Sequence, residues 1–184
     1  MMKSIALSTL LFSVWASSAG AVSGDSRFLQ DQGDSNCKDI IDILCETDGE
    51  YPTGLWCDAI QIAGIEDTLR NDTWTIFAPT NDAWASMPPD VINALFGDAL
   101  VGDVSGLNDL MDFHAVQGQE LESTDLLCDG ETLMSNDEFS VTICEGDRVY
   151  QVGMGNSVDA YPEITVANIE ACNGVVHLVS EMML

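Results

Sequence analysis

"TWTIFAPTNDAWASMP", Thr73–Pro88, changes character in its middle. Thr73–Thr80 is uncharged, β-branched and aromatic, the composition of a buried strand, and Pro79 ends it. Thr80 or Asn81 then caps a short helix, "NDAWASM", whose early acid suits the positive end of the helix dipole. Pro88-Pro89 stops that helix. A buried strand running straight into a helix requires a core shared by both kinds of element.

The strand needs partners, and the last stretch supplies a candidate. "NGVVHLVSEMML", Asn173–Leu184, is nearly all apolar but is interrupted by His177, Ser180 and Glu181. It is too short for a membrane span, and it lacks the polar spacer and long tail of a lipid-anchor signal. It reads as a turn at Asn173-Gly174 followed by a strand that closes the core.

Helical spacing dominates before residue 119. "KDIIDILCE" (Lys38–Glu46) is one helix, and Thr53 is expected to cap a second that runs to about Leu69. In that second helix Leu55, Trp56, Ala59, Ile60 and Ala63 form the apolar face. "DVINALF" is a helix that Gly97 can terminate, and "GLNDLMDFHAV" is another, with Leu107, Leu110 and Met111 facing inward. After Gln119 the pattern turns to short strands at Thr132–Ser135, Phe139–Cys144, Arg148–Val152 and Ile164–Ala171. The expectation is an α+β domain, a helical first half wrapped on a β-rich second half.

The chain of 184 residues carries 31 acidic and five basic residues, a formal charge of −26. Such a surface repels phosphate backbones and anionic lipid, which excludes nucleic acid as a partner. Lys3, an apolar stretch from Ile5 to Trp15 and the small residues Ala19-Gly20-Ala21 have the layout of a signal peptide, with cleavage expected after Ala21 or Ala19. The expected organisation is a signal peptide over 1–21, a flexible polar lead-in over 22–36 and one domain over 37–184. Export makes the six cysteines a disulfide set, and six allow 15 pairings. Cys45–Cys57 would clip the "TDGEYPTGLW" turn and Cys128–Cys144 two neighbouring strands, leaving Cys37–Cys172 as a long-range staple.

Thr73–Pro88 and Asn173–Leu184 resemble the two signature blocks of fasciclin domains, an extracellular adhesion module. "LMDFHAVQGQ" (Leu110–Gln119) resembles the element between them, an aromatic-His pair ahead of a strand and a glycine turn. Three blocks in order resemble a single copy covering about Cys37 to Leu184. The resemblance implies a wedge of twisted β-sheets with short helices packed against it, a role in cell adhesion or extracellular-matrix contact, and no enzymatic activity. It also implies adhesion residues. The aromatic-His pair falls on Phe113 and His114, where the family often has Tyr. The Asp-Ile pair ahead of the closing block falls on Asn168 and Ile169, so a neutral amide replaces the carboxylate. The expected partner is an extracellular protein or glycan.

Chemistry-bearing motifs are few. There is no G-x-S-x-G, no H-E-x-x-H and no Walker-type loop. His114 and His177 lack supporting ligand spacing and read as hydrogen-bonded structural residues. "DQGDSN" (Asp31–Asn36) falls short of a calcium loop, so cation association is expected to be weak and diffuse, with no cofactor and no dedicated metal site. Asn71-Asp72-Thr73 is a glycosylation sequon on Asn71. Two alternatives stay open: a soluble carrier of an apolar ligand such as a carotenoid, which needs a gap between helices and sheet lined by Trp, Phe and Met, and an acidic matrix protein that organises calcium or mineral.

Overall fold

The computed structural model describes residues 37–46 and 49–184. The expected signal peptide, the expected lead-in and the "DQGDSN" segment lie outside the described residues. The Thr73–Thr80 strand is β1 (Trp74–Pro79), and all six of its residues are buried. It pairs in parallel with β7 (Gly174–Val179), also buried throughout, from Trp74 opposite Gly174 to Pro79 opposite Val179. β2 (Ala115–Gln117) lies antiparallel on the other side of β1, and β6 (Ile164–Ala171) lies antiparallel to β7. The sheet order is therefore β2-β1-β7-β6. A second sheet, β3-β4-β5, is made by β3 (Glu131–Leu133), β4 (Phe139–Glu145) and β5 (Arg148–Val152).

The two-residue period of a strand divides the core. Trp74, Ile76 and Ala78 of β1, with Val176 and Leu178 of β7, join the larger hydrophobic cluster. That cluster includes Trp56 and Ile60 of α2 (Gly54–Ala63), Trp84 of α4 (Asn81–Ser86) and Leu107 and Met111 of α6 (Ser105–Asp112). Phe77 and Val179 instead join a smaller cluster with Phe113, Val116, Leu126, Met134 and Met183. Helices cover one face of the main sheet and the later loops the other. The expected division into a helical half and a β half does not hold in space, because first-half β1 sits inside a sheet completed by second-half β7.

Three boundaries differ from expectation, each for a local reason. The second helix stops at Ala63, because Gly64 adopts a left-handed φ of 71° and Ile65 N–H bonds back to Ile60 C=O at 3.3 Å. The rest of the segment forms α3 (Glu66–Arg70). Thr53 does not cap α2; its hydroxyl donates to Leu44 C=O at 2.9 Å, at the end of α1 (Ile40–Leu44), while Asn81 Oδ1 accepts from Leu55 N–H at 3.0 Å. Leu55 is consequently exposed and lies off the apolar face. α5 (Pro89–Leu100) runs through Gly97 and stops only before Gly102, where φ is 91°. Thr80 caps α4 as expected, its Oγ1 accepting from Ala83 N–H at 3.3 Å.

Disulfides join Cys37–Cys172, Cys45–Cys57 and Cys128–Cys144. The first closes a span of 135 residues, the largest reduction of unfolded-chain freedom of the three. Asn173 works beside it: its Oδ1 accepts from Ile40 N–H at 3.0 Å and its Nδ2 donates to Leu69 C=O at 2.7 Å. The ends of the domain are stitched where β7 begins. Deleting the chain from Asn173 onward removes β7, Met183 and this stitch together. The expected outcome is loss of a cooperative thermal transition followed by circular dichroism; a cooperative melt in the truncated protein would overturn the assignment.

Candidate functional site

Phe113 follows the last turn of α6 and His114 precedes β2, where a helix must hand over to an edge strand. His114 is fully buried. Its Nδ1 lies 2.8 Å from Leu110 C=O, and its Nε2 lies 3.0 Å from Met183 N–H. A carbonyl requires a donor and an amide requires an acceptor, so the ring is the neutral Nδ1–H tautomer. Its ring centroid stands 5.3 Å from that of Trp56. Burial pushes its pKa down to about 4, against a smaller upward pull from the Leu110 carbonyl.

His177 is buried in the middle of β7 and stacks on Phe77 of β1, with centroids 5.3 Å apart. Its Nε2 donates to Leu121 C=O at 2.8 Å, and its Nδ1 accepts from Asn168 N–H at 3.3 Å. This is the opposite neutral tautomer. Its pKa is also lowered by burial.

Asn168 has a left-handed φ of 59°, within an irregular stretch of β6. Asn tolerates that conformation better than most residues. Its side chain grips Ser123 twice, Oδ1 accepting from the backbone N–H at 2.7 Å and Nδ2 donating to Oγ at 3.0 Å. Asn168 is exposed, whereas Ile169 is buried opposite Val176. The structure therefore does not bring the four expected adhesion positions together. Phe113 and His114 adjoin β2 at one edge of the main sheet, and Asn168 and Ile169 lie on β6 at the other. Only Asn168 presents itself to solvent.

Asn71 is exposed at the end of α3, with Nδ2 donating to Asp67 C=O at 2.6 Å. Among the described residues no group of three or more His, Cys, Asp or Glu side chains is placed to hold a metal ion. A cavity between the helices and the main sheet is lined by Trp56, Leu69, Trp74, Met111 and Asp112, but its volume is about 30 Å³. That is room for about one water molecule and none for a carotenoid. Among the described residues no helix is long and apolar enough to cross a membrane.

Sequence reasoning missed a polar ladder inside the second sheet. Thr142 Oγ1 donates to Gln151 Oε1 at 2.8 Å, Gln151 Nε2 donates to Ser140 Oγ at 2.6 Å, and all three residues are buried. Their strand periodicity was the only available signal, and it gives no indication that the polar face of β4 is the buried one.

The fasciclin domain profile matches residues 55–184, and the chain belongs to the fasciclin domain family. It is 27% identical over 146 residues to transforming growth factor-beta-induced protein ig-h3 of Oryctolagus cuniculus, covering 78% of this chain and 19% of that protein. It is 24% identical over 121 residues to periostin of Homo sapiens, covering 65% of this chain and 13% of that one. The chain thus spans about a fifth of the length of these curated relatives, or less. A solved FAS1 domain pair from the insect cell adhesion molecule fasciclin I superposes with a TM-score of 0.63 at 15% identity, covering 76% of this chain and 49% of that one. The shared architecture is the α+β fasciclin wedge.

The histidine geometry fixes a pH dependence. The folded pKa of His114 lies below its ordinary 6.5, so stability is complete above pH 6.5 and is lost as pH falls toward about 4. For His114 the loss between pH 7 and pH 5 is about 2 kcal/mol, and His177 adds to it in the same direction. Urea unfolding at those two pH values measures this above the range where most carboxylates titrate. A flat stability over that window would contradict the neutral tautomers.

Proposed function

We propose that this is a secreted, non-enzymatic fasciclin-domain protein that mediates cell adhesion or extracellular-matrix contact by binding an extracellular protein or glycan. Family membership carries the reading, together with relatives that include periostin and the insect cell adhesion molecule. The three disulfides suit an oxidising compartment. Both imidazoles have both ring nitrogens engaged with the backbone, so neither is free to act as a general base or a metal ligand.

Of the four family-equivalent positions, Asn168 is the one from which contact can be made directly; Phe113, His114 and Ile169 act by shaping the sheet edges. A neutral amide there gives no first-order attraction to a receptor-held cation, so recognition rests on hydrogen bonding and shape. The acidic surface adds weak, diffuse calcium association. A glycan on Asn71 would project from the end of α3, beside Gln117 of the β2 edge and on the opposite edge of the main sheet from Asn168.

The oxidised protein, immobilised and exposed to cells and to matrix extracts with and without calcium, is expected to retain at least one partner. An Asn168→Asp variant, which keeps the acceptor to Ser123 N–H but loses the donor to Ser123 Oγ, is expected to change retention at least threefold. No retention in any condition would overturn the proposal. Unchanged retention by the variant would move the contact away from β6.

A further inference from the structure

Leu184 helps build a second surface, which shares Phe113 with the family-equivalent positions and none of the other three. Phe113 forms the floor of an open groove of about 450 Å³, and Glu138, Phe139, Met154, Gly155 and Leu184 line it. Met154 is 96% exposed and Phe139 51% exposed, adjoining a partly exposed Leu184. Large apolar side chains gathered in a concavity, with a charge at the rim, mark an interaction surface more than do single exposed ones.

The groove is held in shape from behind. A Cβ on Gly153 would stand 2.5 Å from Phe113 Cε1, and one on Gly155 would stand 2.7 Å from the Leu184 carbonyl carbon, so only glycine lets these segments approach. Asn156 Oδ1 accepts from both Gly153 N–H at 3.0 Å and Leu184 N–H at 3.1 Å. Its Nδ2 donates to Met182 C=O at 2.7 Å. A wall braced by these bonds requires little ordering on binding, which favours affinity.

Charge selects the occupant. The chain carries a formal −26, and the groove contributes Glu138 and no cation. Among the described residues all three basic side chains are already paired: Lys38 with Glu46, Arg70 with Asp39 and Asp42, and Arg148 with Glu163. A second copy of this chain would bring an equal negative charge to the contact, and anionic lipid would be repelled likewise. We propose that this groove is a docking site for a basic protein segment, with an apolar side chain seated between Phe139, Met154 and Leu184 and flanking Lys or Arg residues facing Glu138 and the surrounding acidic surface. The inference does not depend on the adhesion reading, which concerns the partner's setting and not this surface.

The probe is a fluorescein-labelled peptide Lys-Lys-Phe-Leu-Lys-Lys, compared with Glu-Glu-Phe-Leu-Glu-Glu and Lys-Lys-Gly-Ser-Lys-Lys, titrated with the full oxidised chain and read by fluorescence anisotropy. The basic apolar peptide is expected to bind saturably, at least tenfold more tightly than either control. The double variant Phe139→Ser/Met154→Ser, at exposed positions that leave the core intact, is expected to weaken it at least tenfold. Glu138→Gln is expected to weaken it two- to threefold and to reduce its salt dependence. Leu100→Ser/Val101→Ser, at a separate exposed apolar pair, is expected to leave it unchanged. Equal binding of Lys-Lys-Gly-Ser-Lys-Lys would reduce the effect to diffuse charge and overturn the proposal, as would no binding or full affinity in the groove variant. Matrix retention that persists in the groove variant separates failure here from failure of the adhesion reading.

Discussion

The parallel contact between β1 and β7 is the constraint on which the domain depends. At its start Gly174 lies so close to β1 that a Cβ would stand 1.9 Å from the Trp74 carbonyl oxygen, and its φ of 147° is one that side chains rarely adopt. Glycine is therefore required twice over at one residue. Parallel neighbours cannot be joined by a tight turn. Here the crossover runs from Thr80 to Asn173 and contains α4, α5, α6, the whole second sheet and two strands of the first. Such pairing carries a large loop-closure entropy, which explains why the Cys37–Cys172 bond and the Asn173 side chain are placed at the start of β7.

The two histidines extend the same logic to the other side of the main sheet. His114 fastens the last turn of α6 to Met183, and His177 fastens β7 to Leu121 and to the irregular strand at Asn168. Each bridges a donor and an acceptor at a buried place where neither backbone group finds its partner in a regular ladder. A neutral imidazole is the one ionisable side chain that offers a donor and an acceptor on opposite ends of a rigid ring. Replacing either by Phe would preserve much of the volume but leave two buried backbone groups unpaired. The ring chemistry that makes histidine attractive as a ligand is here consumed in holding the fold together.

Features that depend on periodicity or on one residue type were legible in the sequence. β1 announced itself through an uncharged β-branched run, α4 through the Thr80 cap, and the closing strand through Val175–Val179 after Asn173-Gly174. Positions whose role depends on a remote partner were not. Thr53 resembles a helix cap, yet its hydroxyl goes to Leu44, because Asn81 reaches α2 from across the chain. Gly97 resembles a helix stop, but a glycine with ordinary helical φ only weakens a helix, and the stop came at Gly102. The candidate site suffered most. The family-equivalent pairs were legible block by block, but the sheet order puts two strands between them. Nor could any periodic signal assemble Phe113, Phe139, Met154 and Leu184, which come from four separate segments.

Electrostatics and packing set opposite conditions on this surface. A charge of −26 favours solubility through mutual repulsion, and repulsion between copies permits exposed apolar residues that would otherwise promote self-association. Leu100, Val101, Met154 and Val158 are all strongly exposed on a chain whose described cations are already neutralised by neighbouring acids. Such a surface discriminates by sign before it discriminates by shape. Anionic partners and further copies are turned away at a distance set by the Debye length, about 8 Å at physiological salt. Cationic partners are admitted to contact, where apolar complementarity decides whether they stay. The division assigns association rate to the acidic surface as a whole and residence time to the few apolar side chains in the groove. That residence time is set locally, by residues outside the two histidine fasteners.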